Sequence, residues 1–91
     1  MTSVQVFYEG RVQGVGFRYS VKQIAKGFNI TGWIRNLHDG RVEMQVSGEA
    51  EELGAFLHAV YESELRPLIK KESKFDLATA PVTRGFEIRH E

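Results

Sequence analysis

The stretch GRVQGVGFR, residues 10–18, sets three glycines within seven residues and closes on a phenylalanine and an arginine. Its flanks decide how it is read. Upstream, in SVQVFYEG, Val4, Val6 and Tyr8 alternate with Ser3, Gln5 and Glu9, the period of a half-buried strand, and Phe7 is the one apolar residue on the opposite side. Downstream, Phe17, Val21, Ile24, Ala25 and Phe28 form the stripe of an amphipathic helix, which Gly27 and Asn29 bring to an end. The glycines therefore occupy a strand-to-helix turn.

From residue 30 the period changes back to two. ITGWIRN reads as a second strand, RVEMQVSG as a third with Val42, Met44 and Val46 on one side, and the Asp39-Gly40 pair between them makes the two a hairpin. In GEAEELGAFLHAVYESEL, residues 48–65, a second helix shows one apolar face (Leu53, Phe56, Leu57, Val60, Tyr61, Leu65), with Glu49, Glu51 and Glu52 in its first turn and Pro67 as its stop. Residues 68–77 read as a fourth strand, 78–85 as a loop and FEIR, 86–89, as a short last strand. The order predicts an α+β, ferredoxin-like sandwich, βαββαβ with a short extra C-terminal strand, two helices covering one face of an antiparallel sheet.

The chain has 91 residues, 42% hydrophobic and 26% charged, which predicts one globular domain over 1–91. Twelve basic residues balance twelve acidic ones, so no global field draws in polyanions and any anion site must be local. The absence of cysteine excludes disulfides and thiolate chemistry. The N-terminus enters the first strand without a charged head and apolar run, and no apolar stretch reaches membrane-spanning length, so the expectation is a cytoplasmic monomer without membrane contact.

A right-handed helical crossover makes the first two strands parallel, so the glycine loop and Asn36 share one end of the sheet. Asn36 is in phase with Ile34 and Gly32, which turns its amide toward the helix-covered side. Glycines before a helix start leave several N–H groups converging on a concavity that suits a phosphate, and Arg18 would add a planar fork of donors. The spacing by itself leaves a plain tight connection and a solvated Arg18 equally open, and Asn36 as a strand-ending asparagine is the commoner case. Trp33 reads as sheet packing, and His38, His58 and His90 show no ligand spacing and read as structural or solvent-facing. Lys70, Lys71 and Lys74 read as a solvated strand edge.

GRVQGVGFR followed by GWIRNLHDGRVEMQVSGE resembles the acylphosphatases, whose pattern is G-x-V-Q-G-V-x-F-R, a G-x-V-x-N strand and a D-G-x-V hairpin. Ile34 stands where valine is usual, and Arg66-Pro67 replaces a common glycine-proline. The resemblance implies hydrolysis of the carboxyl–phosphate bond of acyl phosphates without metal or organic cofactor. It implies that the backbone of Gln13, Gly14, Val15, Gly16 and Phe17 and the side chain of Arg18 bind the phosphoryl group, that Asn36 positions the attacking water, and that inorganic phosphate is product and inhibitor. Two other classes share the element order. An RNA-binding module would need aromatics on the exposed central strands and a basic balance, against which stand Arg41, Glu43, Gln45 and Ser47 and a net charge of zero, so no nucleic-acid partner is expected. A non-catalytic anion-binding domain would keep the loop and lose turnover.

Overall fold

The structure is a computed structural model and describes residues 1–90. The elements are β1 (Thr2–Gly10), α1 (Phe17–Ala25), β2 (Ile30–Asn36), β3 (Val42–Gly48), α2 (Ala50–Tyr61), one 3₁₀ turn (Arg66–Leu68), β4 (Ile69–Asp76) and β5 (Phe86–Ile88). They make a five-stranded sheet in the order β4-β1-β3-β2-β5. β3 pairs antiparallel with β1 and β2, and β4 antiparallel with β1. Two helices pack on one face, as the element order predicts.

The antiparallel expectation holds for the four long strands, and β5 makes the sheet mixed by pairing parallel with β2. Topology requires this. Asp76 pairs with Val4, near the start of β1, so β4 ends at the edge where β2 begins. The connection 77–85 follows that edge and can enter the last strand only in the direction of β2. The end of β5 therefore arrives where β1 and β2 also end.

Val4, Val6 and Tyr8 of β1, Ile30 and Ile34 of β2 and Val42, Met44 and Val46 of β3 meet Phe17, Val21, Ala25, Leu53, Phe56 and Val60 from the helices. Phe56 is fully buried with its ring 5.9 Å from both Phe28 and Phe86, and burying such a side chain contributes about 1.5–3 kcal/mol. The uncovered face is held differently. Glu43, buried at the centre, accepts from Gln5 Nε2 (2.6 Å) and Arg35 Nε (2.9 Å), while the guanidinium groups of Arg35 and Arg89 lie 5.1 and 5.2 Å from the Trp33 ring. Trp33 is thereby covered, which removes the central aromatic that a base-stacking surface would need. Lys70, Lys71 and Lys74 are exposed on β4, an edge strand.

Two helix ends differ from expectation. α1 stops at Ala25 rather than running to Phe28, because the N–H groups of Lys26, Gly27 and Phe28 bond to Gln23, Ile24 and Ala25 in tighter turns. α2 stops at Tyr61, well before Pro67. Ser63 ends it: its hydroxyl donates to the Val60 carbonyl (2.6 Å) and accepts from the Leu65 N–H (3.1 Å), offering the backbone an alternative to another turn. Leu65 is buried from outside the helix, and Pro67 sits in the 3₁₀ turn, where its missing N–H costs no bond. Among the described residues no helix is long and apolar enough to cross a membrane.

Candidate functional site

Tyr8, the last core residue of β1, packs against Phe17, the first residue of α1, with ring centroids 5.3 Å apart and the rings tilted by 58°, and both are buried. This pair fixes the two ends of the glycine loop to the core, so Arg18, the next residue, leaves a rigid base. Burial, and secondly the charge of Glu72, push the Tyr8 pKa up, which keeps the phenol neutral.

Between those anchors the loop is shaped by positive φ. Gly14 (75°) and Gly16 (78°) both adopt the left-handed conformation, and a Cβ at either would meet no atom within 4 Å. The glycines are therefore required by backbone conformation, not by crowding from the protein. Among the described residues none of the N–H groups of Gln13, Gly14, Val15, Gly16 and Phe17 donates to a backbone carbonyl, and the helix ladder opens with Ser20 N–H donating to Gly16 O (3.0 Å). Alternating positive φ ahead of a helix N-terminus is the geometry of an anion-binding nest.

The loop borders a cavity of about 390 Å³. Gly14, Gly16, Phe17, Arg18 and Asn36, all expected at the site, line it together across 22 residues of sequence. Arg18 donates from Nη1 to the Arg89 carbonyl (3.3 Å), a long bond that ties the guanidinium to the chain end. Asn36 stands at the last position of β2, inward like Ile34, and its Oδ1 is buried with no hydrogen-bond partner among the described residues. Such an atom costs about 1–3 kcal/mol unless a water or ligand satisfies it.

Gln13 and Val15 do not line the cavity. Val15 is half-exposed, and the Gln13 side chain turns to the β2–β3 turn, donating from Nε2 to the carbonyls of Leu37 (2.8 Å) and Arg41 (2.9 Å). Gln13 therefore fixes the loop against the element that carries Asn36. The walls also include Ile88 and His90, which sequence reasoning did not assign to the site; His90, expected to be structural or solvent-facing, is exposed but on the cavity wall. A signal for them existed in FEIR, since a last strand parallel to β2 must end beside Asn36. No carboxylate lines the cavity among the described residues, and the Arg18 guanidinium is a permanent positive charge on its wall.

The family model for acylphosphatase matches residues 4–88. An acylphosphatase of Nitrosococcus oceani is 38% identical over 90 residues, covering 98% of this chain and 99% of that one. One from Methanospirillum hungatei is 47% identical over 60 residues, which cover 66% of this chain and 66% of that one. The crystal structure of acylphosphatase from Bacillus subtilis superposes with a TM-score of 0.86 at 32% identity, covering 98% of this chain and 99% of the other. A loop, an arginine and a strand-end asparagine converging on one cavity, in a chain matched almost end to end, place this protein in the acylphosphatase family.

Proposed function

We propose that this chain, acting as a single domain over 1–91, hydrolyses the carboxyl–phosphate bond of acyl phosphates to a carboxylate and inorganic phosphate. The phosphoryl oxygens are held by the backbone N–H groups of Gln13, Gly14, Val15, Gly16 and Phe17 and by the Arg18 guanidinium, and Asn36 positions the attacking water. The observation that carries this reading is the buried Oδ1 of Asn36, without a hydrogen-bond partner among the described residues, in the same cavity as Arg18 and the glycine loop. An acceptor so placed can hold a water by one proton and leave an oxygen lone pair for phosphorus.

The chemistry asks for little more. Water oxygen bonds to phosphorus as the bond to the acyl oxygen breaks, and the carboxylate leaves with the electron pair. Its conjugate acid has a pKa of about 4, so no general acid is needed. The water's proton passes to a phosphoryl oxygen. Charge spread over the three equatorial oxygens is met by amides and Arg18, which supply positioning and electrostatic stabilisation. No metal or organic cofactor enters this scheme, and inorganic phosphate, which fits the same cradle, inhibits as product. The reading includes a cytoplasmic monomer, in keeping with balanced charge and small size, and gel filtration tests the oligomeric part.

The test is hydrolysis of benzoyl phosphate by purified protein in the presence of EDTA, with Arg18→Gln alongside. Turnover that disappears in the variant supports the reading. Folded protein that binds phosphate but turns over no acyl phosphate would leave an anion-binding domain instead.

A further inference from the structure

The phosphate cavity shares a wall with a second cavity: Tyr19 lines both. Beyond it a groove of about 460 Å³ runs between α1 and the turn that follows α2, with Ile24 and Leu65 in its lining and Gln23, Ser63 and Glu64 beside them. Leu65 is buried and Ile24 packs against the core, so the apolar part of the groove is rigid. Tyr19 is 63% exposed and enters no ring contact or hydrogen bond among the described residues. An unused aromatic ring between a phosphate cavity and an apolar groove calls for a ligand with one charged end and one apolar end.

An acyl phosphate has those two ends. In-line displacement puts the leaving acyl oxygen across phosphorus from the attacking water. Asn36 belongs to the sheet and Tyr19 to the helix layer, so an acyl group leaving away from Asn36 heads for the helices. We infer that the groove behind Tyr19 is the acyl subsite and that it selects neutral acyl groups carrying a ring or branched alkyl chain. Tyr19 supplies the face against which that group packs. Glu64, exposed at the groove, sets the charge preference by disfavouring a distal carboxylate or phosphate. The inference rests on the proposed hydrolysis and extends it to the half of the substrate that the phosphate loop does not read.

The test compares kcat/KM for benzoyl, 4-carboxybenzoyl and acetyl phosphate, with inhibition by inorganic phosphate measured in parallel. Tyr19→Ala removes an exposed ring without opening the core, and Ser20→Trp, at a position of α1 that also lines the groove, fills it; circular dichroism checks both folds. The benzoyl-to-acetyl ratio should fall about tenfold in each variant, since lost apolar contact acts on the larger acyl group alone. Glu64→Gln should narrow the gap between benzoyl and 4-carboxybenzoyl phosphate about two- to threefold. A benzoyl-to-acetyl ratio within about twofold of wild type in both Tyr19→Ala and Ser20→Trp, with turnover intact, would overturn the subsite while leaving the hydrolysis standing. No turnover of any acyl phosphate by folded wild-type protein would instead remove the underlying reading, and the subsite with it.

Discussion

Two loops meet at one edge of the sheet, and they treat their polar groups in opposite ways. The β2–β3 turn closes on itself: Leu37 N–H donates to Arg41 O (2.8 Å), Gly40 N–H to Leu37 O (3.2 Å), and Asp39 accepts from the Arg41 N–H (3.1 Å) and Nε (2.8 Å). The glycine loop, of similar length, ties down Arg11 N–H on the Leu68 carbonyl (2.9 Å) but leaves the N–H groups of residues 13–16 without backbone partners among the described residues, and it is held at its ends by Tyr8 against Phe17 and from the side by Gln13. A loop that consumes its own hydrogen-bonding capacity is a scaffold. A loop that is rigid yet keeps that capacity open is prepared for a ligand, because its donors need no reorganisation when charge arrives.

The sharpest way to break this contrast is to remove the charge that completes the open loop. Arg18→Gln should lower kcat/KM for benzoyl phosphate by at least about a thousandfold and abolish phosphate inhibition, since a charge-assisted fork is replaced by a neutral amide. Near-normal turnover would exclude the role. Asn36→Ala comes next, with kcat down about a hundredfold while the inhibition constant for phosphate stays within about twofold, because water positioning matters only on the way to the transition state. Were phosphate inhibition to vanish instead, Asn36 would belong with the binding groups.

Gln13→Ala tests the link between the loops. It removes two side-chain bonds, so unfolding in urea should show a loss of about 1–2 kcal/mol, and kcat/KM should fall about tenfold as the loop loses its register against Asn36. Equal stability loss without a kinetic effect would make Gln13 merely structural. The smallest effect belongs to the closed turn. The Arg41 N–H, and after it the Arg41 guanidinium, hold the Asp39 carboxyl below the usual carboxylate range. Its contribution is thus complete above the ordinary value of about 4 and is lost as pH falls through the lowered one. An NMR titration of the Gly40 amide should show that late protonation, and Asp39→Asn should leave kcat/KM within about twofold of wild type.

Both faces of the sheet add to this picture of what pattern reveals. Val4, Val6 and Tyr8 announce an inward side by alternation alone, and Ile34 with Asn36 follows from the same period. The burial of Glu43 beneath Gln5 and Arg35 has no such signal, because an alternating strand marks its polar positions as outward whether or not neighbouring strands cover them. The end of α2 was likewise misleading: Pro67 is the loudest stop signal, but the Ser63 hydroxyl acts first. Local competition for a carbonyl is decided by side-chain geometry that periodicity does not carry.

By itself the sequence determined the element order, the apolar face of each long element, and which glycine loop, arginine and asparagine share one end of the sheet, because glycines that need positive φ, an arginine one residue into the helix and a strand-end asparagine are local or periodic features. Only the tertiary structure decided that β5 runs parallel to β2, that Ile88 and His90 join the cavity wall, that Gln13 pins the loop, and that Tyr19 divides two cavities. Each of those is a meeting of segments far apart in the chain. Which segments meet is set by where β4 leaves the sheet and how the helices pack, and neither is written in the spacing of any one stretch.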